Sequence, residues 1–267
     1  MHPDYKALIE KRFHVPLPEA GMDKRLPLPE AIARFTRPGM KVHFASTHTR
    51  PYGLGYALAR HYWKKDARIE ASLLNVGETW IALVLGGVLS KAVTTFSGDI
   101  WPYPSPNPVM NRYWLEKKID IEHWSILSFT QRLLAGALGI PFVPTRSVVG
   151  STMAEDNAKR GTYREIDDPF HPGEKVGLVA ALHPDVTFLH VPACDVSGNA
   201  IITAPLGEGP LSCFAAREGV ILSTEKIVPT SYLREHNHLV KVPAHLVKAV
   251  VELPYGGHPR GVTNVGA

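Results

Sequence analysis

Cysteine is scarce in this sequence, and its scarcity excludes two classes of protein. The 267 residues include two cysteines, Cys194 and Cys213, and no C-x-x-C pair. A small disulfide-stabilised scaffold needs more thiols, and a cysteine zinc site needs thiols at closer spacing than Cys194 and Cys213 have. We therefore expect both cysteines to be small buried hydrophobes in a reducing compartment.

Long hydrophobic runs are also missing. The longest apolar stretch, WIALVLGGVL from Trp80 to Leu89, is about half of the roughly 20 residues that a membrane helix needs. The N-terminal stretch MHPDYKALIEKRF carries charges through its first turns and has no apolar core of signal-peptide length. We expect a cytoplasmic protein that makes no membrane contact.

Neither sign of charge is concentrated in one segment. The 29 Lys and Arg residues are spread along the chain against 25 Asp and Glu residues, which gives a formal net charge of +4. A nucleic-acid-binding chain usually shows basic runs interleaved with aromatic residues, and this sequence has none. We expect no nucleic-acid partner and a mild preference for anionic small molecules.

Three common patterns for catalysis and cofactor binding are absent. No carboxylate, cysteine or third histidine follows His236 and His238 at a metal-ligand spacing. Ser151 in VGSTM does not lie in a G-x-S-x-G elbow. GLGYAL, from Gly53 to Leu58, has two of the dinucleotide-binding glycines, and no acidic residue ends the next strand, RIEASLL. We predict no metal, no nicotinamide cofactor and no serine nucleophile.

What the sequence does contain is an alternation of strand and helix patterns. From Leu28 onwards, β-branched runs such as MKVHFAS and KAVTTF alternate with amphipathic stretches such as GLGYALARHYWKK. This alternation predicts parallel strands with helices on the faces of the sheet. After Pro141 strand patterns dominate, among them KVGLVAAL and DVTFLHV, and we expect them to continue the same sheet.

The predicted fold class is therefore α/β, an open parallel or mixed sheet flanked by helices. We assign residues 28–267 to a single domain and residues 1–27 to an N-terminal extension. The stretch TWIALVLGGVLS predicts one helix over Thr79–Ser90, and VMNRYWLEKK and SILSFTQRLLAGALG predict two successive helices.

Ligands of such open sheets bind where loops leave the carboxyl ends of the strands. Three of these loops, Ser46–Gly55, Asn75–Thr79 and Val148–Asn157, contain glycines and polar side chains. Glycine lets the backbone approach a ligand, and free N–H groups at a helix start bind phosphate or carboxylate oxygens. The candidate ligand-binding residues are His48, Arg50, Gly53, Asn75, Gly77, Glu78, Gly150, Ser151 and Thr152.

Each of these loops also has a simpler interpretation. Glycine clusters form tight turns, His48 fits an exposed loop histidine, and Arg50 fits a solvated surface charge. The loops offer donors and hydroxyl groups but no convincing nucleophile or general base, which suggests that another chain completes the site. The proline-rich segment Ser97–Val109 fits a substrate-facing flap and surface decoration equally well.

Three segments together carry a family resemblance. They are IPFVPTRSVVGST, IDDPFHPGEKVGLVAALHPDVTFLHVPACDVSGNA and AVVELPYGGHP. In order and spacing they resemble the A (alpha) subunits of family I CoA-transferases, in particular the glutaconate CoA-transferase branch. The likeness covers roughly Leu28 to Pro259 and is strongest after Pro141. It assigns Asp195, Gly198 and Asn199 to a hairpin turn, and it favours His190 as a satisfied core residue.

The resemblance implies an enzyme subunit that has a sugar-phosphate-isomerase-like fold. Its activity would move CoA from an acyl-CoA to a carboxylate acceptor through a glutamyl-CoA thioester. In two-chain members the nucleophilic glutamate lies on the B (beta) subunit, so we expect a hetero-oligomer, α2β2 or larger, with CoA as substrate and no permanent cofactor. Two alternatives stay open, a hydrolase of a CoA-thioester substrate and a non-enzymatic ligand-sensing subunit.

Overall fold

The computed structural model of the chain describes Ala7, residues 21–100 and residues 103–259, with the side chain of Glu78 excepted. Most of the expected N-terminal extension lies outside the described residues. This includes most of the stretch MHPDYKALIEKRF, in which no signal peptide was expected. Lys24 and Leu26 belong to the last part of that extension. Their N–H groups donate to the carbonyl groups of Val196 and Val250, so this part packs onto the domain.

Strands and helices alternate over most of the described chain. The strands are β1 (Lys41–Phe44), β2 (Ile69–Val76), β3 (Leu89–Ser97), β4 (Asp120–His123), β5 (Phe142–Thr145), β6 (Tyr163–Asp167), β7 (Lys175–Ala180), β8 (Val186–Cys194), β9 (Ala200–Ile201), β10 (Gly219–Ile227), β11 (Val240–Val242) and β12 (Val247–Glu252). The α-helices are α1 (Leu28–Phe35), α2 (Tyr52–His61), α3 (Ile81–Leu85), α4 (Pro108–Leu115), α5 (Ile126–Leu138), α6 (Thr152–Lys159), α7 (Gly209–Ala215) and α8 (Thr230–Glu235).

Parallel strands form the main sheet in the order β12-β10-β8-β1-β2-β3-β4. Two short antiparallel strands extend it, because β9 pairs with the end of β8 and β11 pairs with β9. This confirms the α/β class and the mixed sheet. One expectation is wrong: the KVGLVAAL strand, β7, lies between β5 and β6 in a separate antiparallel sheet.

Residue alternation along β1 shows how the main sheet is covered. Val42 and Phe44 pack into a core that α1, α2 and α3 share. His43 lies on the opposite face, where its ring centroid is 6.0 Å from that of Phe129 in α5. A parallel sheet needs both faces covered, and its strands end together at one edge. The loops after β1, β2, β8, β10 and β12 therefore meet at that edge.

Capping residues fix the ends of the helices that flank this edge. Ser125 accepts the N–H of Ser128 at the start of α5, and Gly139 ends that helix with a φ of +68°. Asn107 caps α4 by accepting two backbone N–H groups, and its own amide donates to Asp99. The contact between Asp99 and Asn107 thus joins the two ends of the proline-rich segment that precedes α4.

The predicted helix over Thr79–Ser90 is wrong in its second half. Gly86 and Gly87 follow α3, and Gly87 takes a φ of +65°, a conformation that interrupts a helix. The residues from Leu89 onwards are the start of β3 instead. The short strand β4, between the two helices α4 and α5, was not predicted.

The two cysteines are buried and unpaired, as expected. Burial raises the pKa of the Cys194 and Cys213 thiols to about 12, so neither is poised as a nucleophile. No described helix has both the length and the apolar composition that crossing a membrane would require.

Candidate functional site

The loops after β1 and β2 pack against each other at the carboxyl edge. Tyr52, the first residue of α2, has its ring centroid 4.8 Å from that of Trp80. Gly55 faces the same indole so closely that a Cβ atom there would clash with it. The structure therefore brings together two of the three loops that the sequence selected.

Gly53 joins the first loop to the segment that follows β12. Its N–H donates to the carbonyl of Gly256 at 2.8 Å, and a Cβ atom would press on Leu253. The N–H of Gly53, a candidate binding residue, is thus already bonded within the chain. The role of Gly53 is the close approach of two loops.

Arg50 is half-buried at this edge and only partly bonded. Its Nε donates to the Oγ of Ser46 at 3.2 Å. The two terminal guanidinium nitrogens have no hydrogen bond or ion pair with the described residues. A guanidinium held by Nε presents its planar outer side to a carboxylate or phosphate, which it can bind through two parallel bonds.

His48 is held in place by a single ring nitrogen. Nδ1 lies 2.7 Å from the Oγ1 of Thr203, whereas Nε2 is buried and has no partner among the described residues. A buried ring nitrogen without a partner is uncommon in a folded protein. The Ser46–Arg50 loop thus contains one buried polar atom without a described partner.

The second loop contains another buried polar atom without a described partner, and a glycine that packs closely against a neighbouring segment. The Oδ1 of Asn75 is buried without a described partner. Gly77 lies against the backbone of Gly98, where any Cβ atom would clash with the carbonyl oxygen. Gly77 is thus explained by close approach of two chain segments, and the side chain of Glu78 lies outside the described part of the chain.

The third loop does not join the other two. Ser151 caps α6 by accepting the N–H of Ala154, and its hydroxyl donates to Val148. The N–H of Gly150 donates to the carboxylate of Glu165 at 3.1 Å. Thr152 is an exposed residue in the first turn of α6.

The donors of the third loop serve contacts within the chain, at a distance from the other two loops. Asn157 of α6 donates to the carbonyl of His123, which places the helix against the end of β4. That strand lies three positions from β1, or about 14 Å at ordinary strand spacing. The Gly150 donor is already in use, and the Ser151 hydroxyl serves as a helix cap.

The hairpin after β8 matches its expected role as a structural turn. The Asp195 carboxylate accepts the N–H groups of Ser197 and Asn199, and Gly198 takes a φ of +95°. His190 is fully buried, with Nδ1 2.9 Å from the hydroxyl of Ser223. It is the satisfied core residue that the resemblance favoured.

Sequence reasoning missed Glu225, which lies beside His190 at the edge. One carboxylate oxygen is 2.7 Å from His190 Nε2, and the other accepts the N–H of Tyr255 at 2.7 Å. Burial lowers the pKa of His190 although Glu225 acts in the opposite direction. The pair therefore ties β8 and β10 to the segment after β12.

Sequence reasoning also missed Glu208, a carboxylate with 1% exposure beneath the first loop. Its Oε1 accepts the N–H of Ser46 at 2.7 Å and lies 3.4 Å from Nε2 of His43. Nδ1 of His43 is 3.0 Å from the hydroxyl of Ser72. These side chains are all buried, so they support the edge from below and cannot meet a substrate as large as CoA. The available signal was an acidic residue between two glycines, GEG.

One group of described side chains has the composition of a metal site. Asp168, His171 and Glu174 bring their ligand atoms within 4.8 Å of one another. Arg146 forms ion pairs with both carboxylates, at 3.1 Å and 2.6 Å. We interpret the group as an exposed salt-bridge cluster.

The chain matches one family model and several known proteins over most of its length. The coenzyme A transferase family model matches residues 27–253. An uncharacterized protein of Archaeoglobus fulgidus is 32% identical over 244 residues, which cover 89% of this chain and 52% of that relative. The chain thus spans about half the length of this relative.

Two named relatives match over most of their own length. The A subunit of glutaconate CoA-transferase from Acidaminococcus fermentans is 24% identical over 255 residues, covering 89% of this chain and 77% of the relative. The A subunit of 3-oxoadipate CoA-transferase from Pseudomonas knackmussii is 26% identical over 241 residues, covering 89% and 82%. The crystal structure of the Acidaminococcus enzyme superposes with a TM-score of 0.77 at 22% identity, over 88% of this chain and 77% of that one.

Proposed function

We propose, on the premise that the chain belongs to the coenzyme A transferase family, that it is the A subunit of a heteromeric CoA-transferase. In this proposal the complex moves CoA from an acyl-CoA to a carboxylate acceptor through a glutamyl-CoA thioester on the partner B subunit. Two relatives that match over most of their length are themselves named as A subunits of CoA-transferases. CoA acts as a substrate, and no permanent cofactor is needed.

The observation that carries the proposal is the Arg50 guanidinium. It lies half-buried among converging loops, it is fixed through Nε, and its terminal nitrogens have no described partner. A CoA-transferase must bind a carboxylate acceptor, and a planar two-pronged contact suits that group. Arg50 therefore binds the acceptor carboxylate, or a distal carboxylate of the acyl group.

The state of three carboxylates at this edge supports a nucleophile on another chain. Glu208 is buried, both oxygens of Glu225 already accept bonds, and Asp195 is enclosed in its own turn. An attacking carboxylate needs a free oxygen placed against the thioester carbonyl. Glu225 and Asp195 offer none, and the unpartnered oxygen of Glu208 is buried where a thioester cannot reach it, which agrees with a glutamate supplied by a B subunit.

The reaction then divides between the two chains. The partner glutamate attacks the thioester carbonyl of the acyl-CoA and expels the CoA thiolate, which leaves an acyl-glutamyl anhydride. The thiolate then attacks the glutamyl carbonyl of this anhydride, so that the glutamyl-CoA thioester forms and the acyl group leaves as a carboxylate that keeps the attacking oxygen. The acceptor carboxylate takes CoA from the glutamyl thioester in the reverse sense. Arg50 holds the acceptor, and His48 lies two residues before it on the same loop. Oxyanion donors for each tetrahedral intermediate are needed as well.

Co-expression with a B-type subunit tests the proposal. The purified complex is incubated with acyl-CoA candidates, and mass spectrometry looks for a CoA adduct on a glutamate of the partner. We expect the adduct, acyl transfer to a carboxylate in preference to water, and no turnover by this chain alone. Full turnover without a partner contradicts the proposal. Transfer to water alone identifies a hydrolase, and ligand binding without turnover identifies a sensing subunit.

Arg50 has its own test in the same complex. Arg50→Lys keeps the charge but loses the planar fork, so we expect a raised KM for the carboxylate acceptor, and a larger rise for Arg50→Ala. Arg217→Lys, near the opposite edge of the sheet, is the matched control and should leave this KM unchanged. Equal KM values for wild type, Arg50→Lys and Arg50→Ala would remove Arg50 from the site.

A further inference from the structure

Glu208 lies in a segment that is pressed against the first loop of the site. Gly207, with a φ of +55°, faces the Ser46 carbonyl so closely that a Cβ atom would clash, and Gly209 faces the Thr47 side chain in the same way. Both flanking glycines are therefore explained by contact with the same two loop residues. The close contacts of the two glycines place the Glu208 carboxylate against the N–H of Ser46.

The contacts of Ser46 connect this carboxylate to Arg50. The Ser46 N–H donates to Glu208 Oε1 at 2.7 Å, and the Ser46 hydroxyl accepts from Arg50 Nε at 3.2 Å. A backbone N–H bonded to a carboxylate is among the stronger hydrogen bonds in proteins. Displacing Ser46 would move the acceptor atom on which Arg50 depends.

The second Glu208 oxygen makes no bond with the described residues that could compete with the contact to Ser46. Oε2 is buried and has no described partner, and His43 Nε2, 3.4 Å from Oε1, makes no hydrogen bond with the described residues. Burial of a carboxylate is costly, and the hydrogen bonds it makes offset that cost. The hydrogen bond from the Ser46 N–H is the main polar contact of the buried Glu208 carboxylate.

We infer that Glu208 is a positioning residue, which holds Ser46 and through it the Arg50 guanidinium in the orientation that receives a substrate carboxylate. The part of the inference that concerns a substrate carboxylate rests on the proposed function. The contact between Glu208 and Ser46 is independent of it. The contact needs a hydrogen-bond acceptor at Oε1 and does not need the negative charge. Glu208→Gln can therefore keep the contact, whereas Glu208→Ala removes it.

Hydrogen exchange tests the contact without reference to activity. Wild type, Glu208→Ala and Glu208→Gln are compared as purified from co-expression, with Glu218→Ala as a control because Glu218 pairs with Arg37 on the surface. We expect faster exchange at the Ser46–Arg50 amides in Glu208→Ala alone. Unchanged protection of those amides in Glu208→Ala overturns the inference, whatever the enzyme does.

Steady-state kinetics test the link to substrate. We expect Glu208→Ala to raise KM for the carboxylate acceptor by about tenfold or more, as the loss of a hydrogen bond to a charged group would, with a smaller effect on KM for acyl-CoA. Glu208→Gln should restore the acceptor KM. The effects of Glu208→Ala and Arg50→Ala should be less than additive, because both act through the same guanidinium. A wild-type acceptor KM in Glu208→Ala, or full additivity, contradicts the inference.

The two proposals fail in different ways. If the complex shows no CoA transfer, the proposed function is wrong, and the exchange experiment still decides whether Glu208 holds the loop. If transfer is present and Glu208→Gln is as defective as Glu208→Ala, the acceptor contact is not what Glu208 provides, and the inference alone is wrong.

Discussion

Two carboxylates are buried to the same depth in this molecule and differ in their surroundings. Glu122 on β4 and Glu208 before α7 are each 1% exposed. Glu122 Oε1 accepts from Arg132 and from the indole N–H of Trp124, both at 2.7 Å, and Oε2 pairs with Lys91 at 2.6 Å. Glu208 has one N–H bond and an oxygen without a described partner.

The number of bonds that each carboxylate makes distinguishes Glu122, which stabilises the scaffold, from Glu208, which lies near the candidate site. Arg132 also donates to the carbonyl of Ala180 and stacks on Trp124, with its guanidinium carbon 4.5 Å from the ring centroid. Glu122 therefore joins β4, α5 and the small antiparallel sheet, and every strong donor around it is used. Incomplete satisfaction, as at Glu208, is the more informative signal when it coincides with a loop at the ligand edge.

The largest expected effect comes from breaking the Glu122 cluster. Arg132→Leu leaves a buried carboxylate that has lost one of its two cationic partners, and this typically costs roughly 3–5 kcal/mol in the free energy of unfolding. Urea denaturation measures the loss. Arg160→Leu is the matched control, because Arg160 pairs with the half-exposed Asp120, and such pairs contribute about 1 kcal/mol or less. Equal losses in the two variants would show that Glu122 is not a scaffold element of this kind.

Acid should produce the next largest effect through the same residue. Burial alone would raise the pKa of Glu122, but the charge of Arg132 and the hydrogen bonds from Lys91 and Trp124 outweigh burial and hold the pKa at about 2, from 4.5. Burial lowers the pKa of Arg132 despite its partner, yet a guanidinium in a protein stays charged throughout the acidic and neutral range.

The sign follows from this depressed pKa. The stabilisation by ionised Glu122 is fully present above its unfolded pKa of about 4.5 and is lost as pH falls towards about 2. We expect the free energy of unfolding of wild type to fall relative to Glu122→Gln by about 3 kcal/mol between pH 5 and pH 2, at about 1.36 kcal/mol per pKa unit. Unfolding curves of both proteins across this range measure the difference. A constant difference would contradict the assignment.

Much of the fold was predictable because its signals are local. The alternation of MKVHFAS, GLGYALARHYWKK and RIEASLL reads directly as β1, α2 and β2. The errors occur where a short element depends on its neighbours. β4 has four residues and exists because β3 pairs with it, and the run before β3 looked helical until Gly86 and Gly87 ended α3.

The site was less predictable, since its contacts join distant parts of the chain. The sequence selected the Ser46–Gly55 and Asn75–Thr79 loops, which the fold brings together. It could not reveal that Glu208 lies under Ser46, 162 positions away. Nor could it show that Gly150 gives its N–H to Glu165, because both contacts follow from tertiary packing.

The smallest expected effect completes the comparison of the two carboxylates. Glu208→Gln keeps an acceptor for the Ser46 N–H and replaces the oxygen that has no described partner. We therefore expect its free energy of unfolding at pH 7 to stay within about 1 kcal/mol of wild type, the usual net size of one hydrogen bond. Glu122→Gln, measured by the same urea denaturation, should cost clearly more, because it removes a charge that Arg132 and Lys91 both contact. A loss in Glu208→Gln as large as that in Glu122→Gln would mean that the charge of Glu208 stabilises the fold, and that the two carboxylates are scaffold residues alike.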